Sequence, residues 1–272
     1  MTESESREYS EYLGKEQNRR TREFIVEEPL SIRVEGNPYS VVMRTPGDEI
    51  AHAAGFCLSE GLVDSPEDIA SIGFCEENEA NVATLTLTSD RRTLVAGLLE
   101  RKGFVSQTSC GICGKEIIAD LRQVLTYPAG NTVFEPKNIM ACVESLSSSQ
   151  PLHEKTRGAH AAAIFDKELN KMASAEDVGR HNALDKAIGK TFLARIINEA
   201  CLGVMSSRLS YELVQKAARA GLEMLVGISM PTSLAIELAA SVNMTLACVK
   251  HGRLMIFCGD GRIKPGMQSS KT

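Results

Sequence analysis

The sequence predicts an α/β protein in which a smaller N-terminal α+β domain precedes a C-terminal domain with a mostly parallel sheet. In the second half of the chain, short apolar runs with strand composition alternate with helical patterns, which is typical of a parallel sheet covered by helices. In the first half, strand-like and helix-like segments are mixed without that alternation. The length of 272 residues fits one large or two modest domains.

Turn residues and helix-start signals mark the elements of the first half. The sequence Glu35-Gly36-Asn37-Pro38 separates two strand-like runs, and helical spacing of apolar residues begins after Asp48. Ser65 precedes a proline and two acids, which is the pattern of a helix N-terminus. In order, we predict strands over 24–34 and 39–43, a helix after residue 48, a short helix at 65–68, a strand over 82–88 and a helix over 91–102.

The second half is more regular, and Pro136 gives it a clear helix-start signal. We predict strands over 159–165, 169–175, 201–205, 224–228, 245–249 and 254–257. We predict one helix that begins at residue 136, two that cover 182–197 and 210–220, and one that ends at about residue 241. Turn residues gather between Pro128 and Pro151, so we place a domain boundary there. The predicted division is a flexible N-terminal tail over 1–22, an N-terminal domain over 23–137 and a C-terminal domain over 138–272.

Composition excludes several classes of function. The net charge of −5 argues against general nucleic-acid binding. No apolar run approaches the ~20 residues that span a membrane, and residues 1–23 lack the apolar core of a signal peptide. We therefore expect a cytoplasmic protein whose cysteines are reduced.

The stretch richest in reactive groups contains Cys110 and Cys113, each followed by a glycine, with Lys115 close behind. A CxxC pair near a cation can lower the thiol pKa from ~8.5 toward ~3.5–7.5, and the thiolate is the reactive form. The glycines let another molecule approach either sulfur closely. Half of a zinc site, a disulfide redox pair and a sulfur carrier all remain open on these residues.

A zinc site is disfavoured because a second pair of ligands is missing. Zinc deaminases place a glutamate two residues after a ligating histidine, whereas Ala162 holds that position after His160. In an apolar run such as this, a histidine is more often a hydrogen-bonded core residue than a ligand. The remaining cysteines are scattered in mostly apolar surroundings, and we interpret them as buried small hydrophobes.

Three segments of the second half carry groups that suit an anionic ligand, and one of them, the strand-to-helix turn Pro231-Thr232-Ser233, offers hydroxyls alone. Ligands of parallel sheets bind at the carboxyl ends of the strands, near helix N-termini. Ser206, Ser207 and Arg208 follow one such strand, and phosphate binding and simple helix capping are equal alternatives for them. The segment Lys250-His251-Gly252-Arg253 joins two apolar strands and is either an ordinary polar hairpin or a diphosphate site.

Residues 176–186 form the densest polar cluster of the chain. If this segment is helical, Asp177, His181 and Asp185 fall at i, i+4 and i+8 on one face. A histidine flanked by carboxylates suits an oriented base, but a surface ion-pair network is the favoured interpretation.

Several motifs occur together and in an order that resembles the FdhD family, the formate dehydrogenase accessory proteins. The resemblance runs from about Phe24 to Phe257 and is specific because it rests on the whole series. The motifs that carry it are Thr45-Pro46-Gly47-Asp48, Ala54-Gly55-Phe56, Ser59-Glu60-Gly61, Cys110-Gly111-Ile112-Cys113-Gly114, and the runs 176–189 and 207–221.

The resemblance implies a sulfurtransferase that serves formate dehydrogenase. Family members receive persulfide sulfur from a cysteine desulfurase and pass it to the molybdenum or tungsten bis(molybdopterin guanine dinucleotide) cofactor, before that cofactor enters the formate dehydrogenase catalytic subunit. On this chain, Cys110 would carry the persulfide and Cys113 would assist. The resemblance also implies a homodimer and a cytidine-deaminase-like C-terminal domain without zinc. The cofactor would be bound by the segment Cys248, Val249, Lys250, His251, Gly252 and Arg253.

Two other functions stay open at this point. A chaperone that shelters the dinucleotide cofactor without transferring sulfur would need the anion-binding turns but not Cys110. A thiol-disulfide oxidoreductase would need both cysteines, but the CxxC lies in a glycine-rich segment rather than in a thioredoxin-like βαβ setting.

Overall fold

The computed structural model of the protein describes residues 2–77, 80–99 and 130–264. Within these ranges the chain forms twelve strands and eight α-helices. The strands are β1 (Ser4–Leu13), β2 (Glu16–Ile25), β3 (Glu28–Val34), β4 (Asn37–Arg44), β5 (Ile69–Glu77), β6 (Ala80–Leu87), β7 (His160–Asp166), β8 (Lys171–Asp177), β9 (Ala200–Met205), β10 (Met224–Gly227), β11 (Thr245–Lys250) and β12 (Arg253–Cys258). The helices are α1 (Glu49–Ser59), α2 (Ser89–Leu94), α3 (Ala96–Leu99), α4 (Pro136–Ser147), α5 (Pro151–Thr156), α6 (Arg180–Leu193), α7 (Tyr211–Arg219) and α8 (Ser233–Ser241).

The N-terminal segment is a β-hairpin, so the expectation of a flexible tail over 1–22 is wrong where β1 and β2 cover it. The two strands pair antiparallel along their whole length, from Ser4 opposite Ile25 to Leu13 opposite Glu16. Most of their side chains are exposed, so the sequence shows no apolar alternation that would predict strands. The backbone hydrogen bond from the Val26 amide to the Glu3 carbonyl, 2.9 Å, closes the open end of the hairpin.

A four-stranded sheet follows, with strand order β4-β3-β6-β5. The β3–β6 pair is parallel, and β3–β4 and β5–β6 are antiparallel. Alternate residues of β3, Leu30, Ile32 and Val34, are buried, which places α1 and the sheet around one core. The predicted strand over 24–34 is divided between β2 and β3, and the sequence predicts no strand at the position of β5.

The six-stranded sheet of the second half confirms the α/β class. Its strand order is β12-β11-β10-β9-β7-β8. The adjacent strands β9, β10 and β11 run parallel, and the flanking strands pair antiparallel. Alternation along β7 directs Ala162 and Ile164 to the core beneath α6, α7 and α8, and Ala161, Ala163 and Phe165 to the core beneath α4.

One hydrophobic core joins the two halves of the chain. It contains residues of β3, α1 and β6 together with residues of β7, α6, α7 and α8. The predicted domain division at 137/138 stays a prediction, but the two halves do not have separate cores. No helix of the described ranges is long and apolar enough to cross a membrane.

The closest approach between the halves is the crossing of α1 and α6, which is made possible by two glycines. A Cβ on Gly55 would overlap the backbone carbonyl of Asp185, and a Cβ on Gly189 would overlap that of Ala51. Because these neighbours are backbone atoms of the facing helix, they cannot move aside without separating the helices. The glycines at 55 and 189 therefore set the distance between the two helices.

We predict that Gly189→Ala lowers the free energy of unfolding by roughly 3 kcal/mol or more, because overpacking a close contact outweighs the gain in helix propensity of up to about 1 kcal/mol. Urea denaturation followed by far-UV circular dichroism measures the change. Gly97→Ala in α3 is the matched control, since a Cβ there meets no atom within 4 Å. Equal stabilities of the two variants would contradict the close packing of α1 and α6.

Candidate functional site

The six-stranded sheet brings the predicted anion-binding segments 206–208 and 250–253 to one edge. Met205 of β9, Gly227 of β10 and Cys248 of β11 are neighbours in the parallel register. The segments that follow these strands, which include 206–208 and 250–253, therefore leave the sheet on the same side. Since β7 runs antiparallel to β9, His160 at the start of β7 lies on this side as well. We call this the carboxyl edge.

The hydroxyl groups of Ser206 and Ser207 form hydrogen bonds within the fold, whereas the Arg208 side chain forms none with the described residues. The amide of Ala161 donates to Ser206 Oγ at 2.7 Å, and Ser207 Oγ donates to the Arg208 carbonyl at 3.0 Å. Neither serine caps a helix, because the N-cap of α7 is Ser210. The Arg208 side chain is exposed and makes no hydrogen bond or ion pair within the described ranges. Of this turn, the guanidinium is the group that is available to an anion.

The second turn is a tight two-residue hairpin that exposes its charges. Lys250 and Arg253 face each other across the β11–β12 ladder, and His251 and Gly252 have φ values of 52° and 68°. Positive φ at both central residues is the geometry of a type I′ turn. All four residues are exposed, and their side chains make no ion pair with any described residue. This arrangement suits both of the alternatives that the sequence left open.

Beside this hairpin the edge is apolar and closely packed. Cys248 is buried with its Sγ 3.7 Å from Met230 Sδ, and Val249 is half-buried. A Cβ on Gly227 would lie 2.9 Å from the Ser207 carbonyl oxygen, so the chain passes here at backbone distance. Ile228 and Met230, which follow β10, are 40% and 44% exposed. The edge therefore combines unpaired cations with exposed apolar surface.

The condition under which Asp177, His181 and Asp185 would share one helical face is not met. Asp177 ends β8, because Gly179 and not Asp177 is the N-cap of α6. The expected surface ion-pair network is wrong for the two acids, which are 0% and 2% exposed. His181 is half-buried and forms its own ion pair, Nε2 to Glu212 Oε2 at 2.9 Å. The helix predicted over 182–197 begins slightly earlier, at Arg180.

The buried carboxylate at 177 is fully satisfied. Lys186 Nζ lies 2.7 Å from Asp177 Oδ2, which also accepts from the Thr45 amide at 3.1 Å. Asp177 Oδ1 accepts from the Gly179 amide at 2.8 Å and from Asn182 Nδ2 at 2.9 Å. Lys186 Nζ donates in addition to the Thr45 carbonyl at 2.8 Å. The motif at 45–48 and the motif at 176–189 thus meet in one buried network.

A second buried ion pair involves Asp185, the residue of α6 directly before Lys186. Lys216 Nζ donates to Asp185 Oδ2 at 2.8 Å, and Ser59 Oγ donates to Asp185 Oδ1, also at 2.8 Å. Lys216 also lies over the ring of Phe56, 5.4 Å from its centroid. This pair joins α1, α6 and α7 and is positioned for stability rather than for chemistry at the edge.

His52 lies between the two ion pairs without a hydrogen bond to either ring nitrogen. It is completely buried in α1. Burial holds its pKa well below the ordinary value, and the cations of Lys186, Lys216 and Arg44 lower the pKa further. The nearby amide of Asn182 opposes the shift only in part. His52 is therefore neutral in the folded protein at neutral pH.

The predicted sulfur-carrying residues Cys110 and Cys113 lie outside the described residues. Burial raises the pKa of Cys142 to about 11 and that of Cys201 to about 12. It also raises the pKa values of Cys57, Cys248 and Cys258. Protonated thiols are poor nucleophiles. The interpretation as buried small hydrophobes is confirmed for four cysteines, at positions 57, 142, 201 and 248. Cys258 is half-buried. For Cys75 the interpretation is wrong, because Cys75 is exposed.

The chain that follows residue 129 is fixed at the opposite, amino edge of the sheet. Glu223, directly before β10, accepts from the Thr132 amide and from Thr132 Oγ1, both at 2.8 Å. Arg262 Nε donates to Glu223 Oε2 at 3.1 Å, and its Nη2 donates to the Gly130 carbonyl at 2.9 Å. Glu223 and Arg262 are buried and paired with each other, so this junction leaves neither charge unpaired.

We predict that His52 makes the protein less stable in mild acid. Unfolded histidine takes up a proton below about pH 6.5, whereas folded His52 stays neutral, so the unfolded state binds more protons and stability falls as pH drops below that value. The contribution to the slope is at most about 1.4 kcal/mol per pH unit. Urea denaturation between pH 7.5 and about 5 measures it, and His52→Gln should flatten the profile. The exposed His251→Gln variant is the control, and an unchanged slope in His52→Gln would refute the assignment.

Comparisons with known proteins agree with the fold and with the motifs. The profile of the FdhD/NarQ family matches residues 25–264. A sulfur carrier protein FdhD from Anaeromyxobacter sp. strain K is 38% identical over 249 residues, which cover 87% of this chain and 86% of that protein. The protein of the same name from Streptomyces avermitilis is 34% identical and covers 88% of each chain.

A solved structure shares the fold. It is the crystal structure of a protein from Desulfotalea psychrophila described as a formate dehydrogenase accessory protein, and it superposes with a TM-score of 0.77 over 97% of this chain and all of that chain. The identity of 22% limits this comparison to the fold. The family profile spans both halves of the chain and both buried ion pairs, and on that evidence this chain belongs to the FdhD/NarQ family.

Proposed function

We propose that this chain is a sulfur carrier that loads a persulfide on Cys110 and delivers the sulfur to a molybdenum or tungsten bis(molybdopterin guanine dinucleotide) cofactor. The cofactor is its substrate, and it binds at the carboxyl edge. In this proposal the donor is a cysteine desulfurase, the recipient of the finished cofactor is the formate dehydrogenase catalytic subunit, and the protein works in the cytoplasm as a homodimer.

The strongest support for cofactor binding is the set of unpaired cations at the carboxyl edge. Lys250, Arg253 and Arg208 are exposed and have no ion-pair partner among the described residues. Guanidinium groups bind phosphate oxygens with two parallel hydrogen bonds, and the ligand carries diphosphates. The exposed Ile228 and Met230 next to them supply apolar surface for a ring system.

Support for Cys110 as the carrier comes from its sequence setting and from the properties of the other thiols. Relatives that cover most of this chain bear the name sulfur carrier protein. Among the described cysteines, the five with raised pKa values are protonated at neutral pH. The sixth, Cys75, lies on β5 of the small sheet and not at the carboxyl edge. The glycine-flanked Cys110 and Cys113 therefore remain as the pair suited to sulfur chemistry.

The proposed transfer uses two balanced steps. The Cys110 thiolate attacks the terminal sulfur of the donor's persulfide, the donor's S–S bond breaks, and the donor cysteine leaves as a thiolate. For delivery, the Cys113 thiolate attacks Cys110 Sγ, which forms a Cys110–Cys113 disulfide and releases hydrosulfide to the bound metal. A cellular dithiol reductant then restores both thiols.

We predict that wild-type protein incubated with a cysteine desulfurase and cysteine gains the mass of one sulfur atom, and that Cys110→Ala does not. Intact-protein mass spectrometry without reductant measures the gain, and peptide mapping locates it. Cys75→Ala is the matched control, because it removes an exposed thiol of β5. Transferable sulfur on the Cys110→Ala protein at the wild-type level would exclude Cys110 as the carrier.

We also predict that Arg253→Ala separates cofactor binding from sulfur loading. Loading at Cys110 should be unchanged, while formate dehydrogenase activity in a strain that lacks the native protein should fall by about tenfold or more, because a charge-assisted phosphate contact is lost. Arg19→Ala on the exposed hairpin is the control. If Cys110→Ala restores formate dehydrogenase in this strain and Arg253→Ala does not, the protein is a cofactor chaperone and the sulfur-transfer proposal fails.

A further inference from the structure

Arg180 is a half-buried cation without a partner at the carboxyl edge. It is the first residue of α6 and follows the end of β8 by three positions. Its Nε is buried and has no hydrogen-bond partner, and the guanidinium makes no ion pair within the described ranges. A buried N–H without an acceptor is costly, on the order of 1–3 kcal/mol. Such a group indicates an acceptor that is absent from the free protein.

The location of Arg180 adds to this cost. The N-terminal end of a helix carries a partial positive charge, so a cation in the first turn is unfavourable. α6 has no acidic residue in its first turn and no side-chain cap. Arg180 and His181 both occupy this turn, and only His181 has an ion-pair partner, Glu212. A bound anion would remove the unfavourable interaction.

The carboxylates that come near Arg180 are already engaged. Asp177 is paired with Lys186 and accepts three further hydrogen bonds. Glu212 Oε2 is 2.9 Å from His181 Nε2. Neither acid forms an ion pair with Arg180 within the described ranges, and the lowered pKa of Glu212 is due first to its hydrogen bond with His181 and only last to the charge of Arg180. The guanidinium is thus not a member of the internal networks.

His160 supplies a second group beside Arg180. It is opposite Asp177 in the β7–β8 ladder, at the same edge of the sheet, and its ring makes no hydrogen bond within the described ranges. Arg180 follows Asp177, the ladder partner of His160, by three residues, so both groups lie at this corner of the sheet. Burial lowers the pKa of His160, and the charge of Arg180 lowers it further. A neutral imidazole can donate one hydrogen bond to a phosphate oxygen. Guanidinium and imidazole together form a small donor cluster.

We propose that Arg180, together with His160, binds a phosphate group of the guanine dinucleotide substrate at the carboxyl edge. This inference rests on the proposed function, because it assigns a further contact to the same substrate. It concerns a different part of the edge from the 248–253 segment. Three strand spacings separate β7 from β11 in the sheet order, which is about 15 Å. The two cationic groups therefore contact different parts of one extended ligand.

Isothermal titration calorimetry tests the proposal with three probes: GDP, inorganic pyrophosphate and guanosine. Arg180→Met keeps the length and apolar stem of the side chain but removes its charge and donors. We expect it to weaken the binding of GDP and of pyrophosphate about tenfold or more and to leave guanosine unaffected. Arg180→Lys keeps the charge without the planar fork, and we expect an intermediate loss. Arg19→Met on the hairpin controls for the change in net charge.

The outcomes separate this inference from the proposed function. If the wild type binds GDP and Arg180→Met binds both phosphate probes equally well, Arg180 is not a phosphate ligand, while cofactor binding at the edge stands. If the wild type binds neither GDP nor pyrophosphate, both proposals fail. If Arg180→Met loses guanosine binding together with phosphate binding, Arg180 has a structural role and the inference is overturned. The same holds if Arg180→Lys loses guanosine binding as strongly as Arg180→Met does. Thermal unfolding of each variant identifies misfolded protein.

Discussion

The buried pair between Asp177 and Lys186 is the interaction on which the rest of the structure depends. Its carboxylate and ammonium bind both the amide and the carbonyl of Thr45, so the loop after β4 is fixed to the end of β8. Removing one partner of a buried ion pair leaves an uncompensated charge and costs about 3–5 kcal/mol. A pair of hydrophobic residues could give the same stability, but it could not form the directional hydrogen bonds to Thr45. The pair therefore fixes how the two halves of the chain are joined.

The position of the candidate site follows from this junction. With Asp177 fixed, Gly179 begins α6 and places Arg180 and His181 at the carboxyl edge. The close crossing of α1 and α6, which Gly55 and Gly189 allow, then encloses His52 between the two ion pairs. A charged imidazole there would meet three cations, so the same packing that positions the edge keeps this histidine neutral. Site geometry and acid sensitivity thus have one physical origin.

The sequence predicted those parts of the fold that bury apolar side chains in a regular pattern. The six strands of the large sheet and the helices α4, α6, α7 and α8 are all present near the predicted bounds, because each has an apolar face. The hairpin β1–β2 was missed because its strands are polar on both faces. The strand β5 was missed because its alternation is short: Ile72 and Phe74 are half-buried between the exposed Ser71, Gly73 and Cys75, and the interior glycine weakens the strand pattern. Backbone pairing, which holds both together, leaves little trace in composition.

The candidate site was predictable as a set of turns but not as a set of contacts. The sequence identifies 206–208 as a turn at the carboxyl end of a strand and 250–253 as a connection between two strands, and the register places both at one edge. It did not predict that Ser206 and Ser207 would be used within the fold, or that Arg180 would be left without a partner, since both depend on which side chains meet across the sheet.

The length of the strands in the large sheet sets the distance between its amino and carboxyl edges, which the chain between Cys110 and Gly130 would have to span. Gly130 is anchored at the amino edge, and strands of about six residues place it roughly 20 Å from the carboxyl edge. The covalent length of residues 114–129 permits a span on the order of 50 Å. Covalent length alone therefore allows Cys110 to meet a ligand at the carboxyl edge.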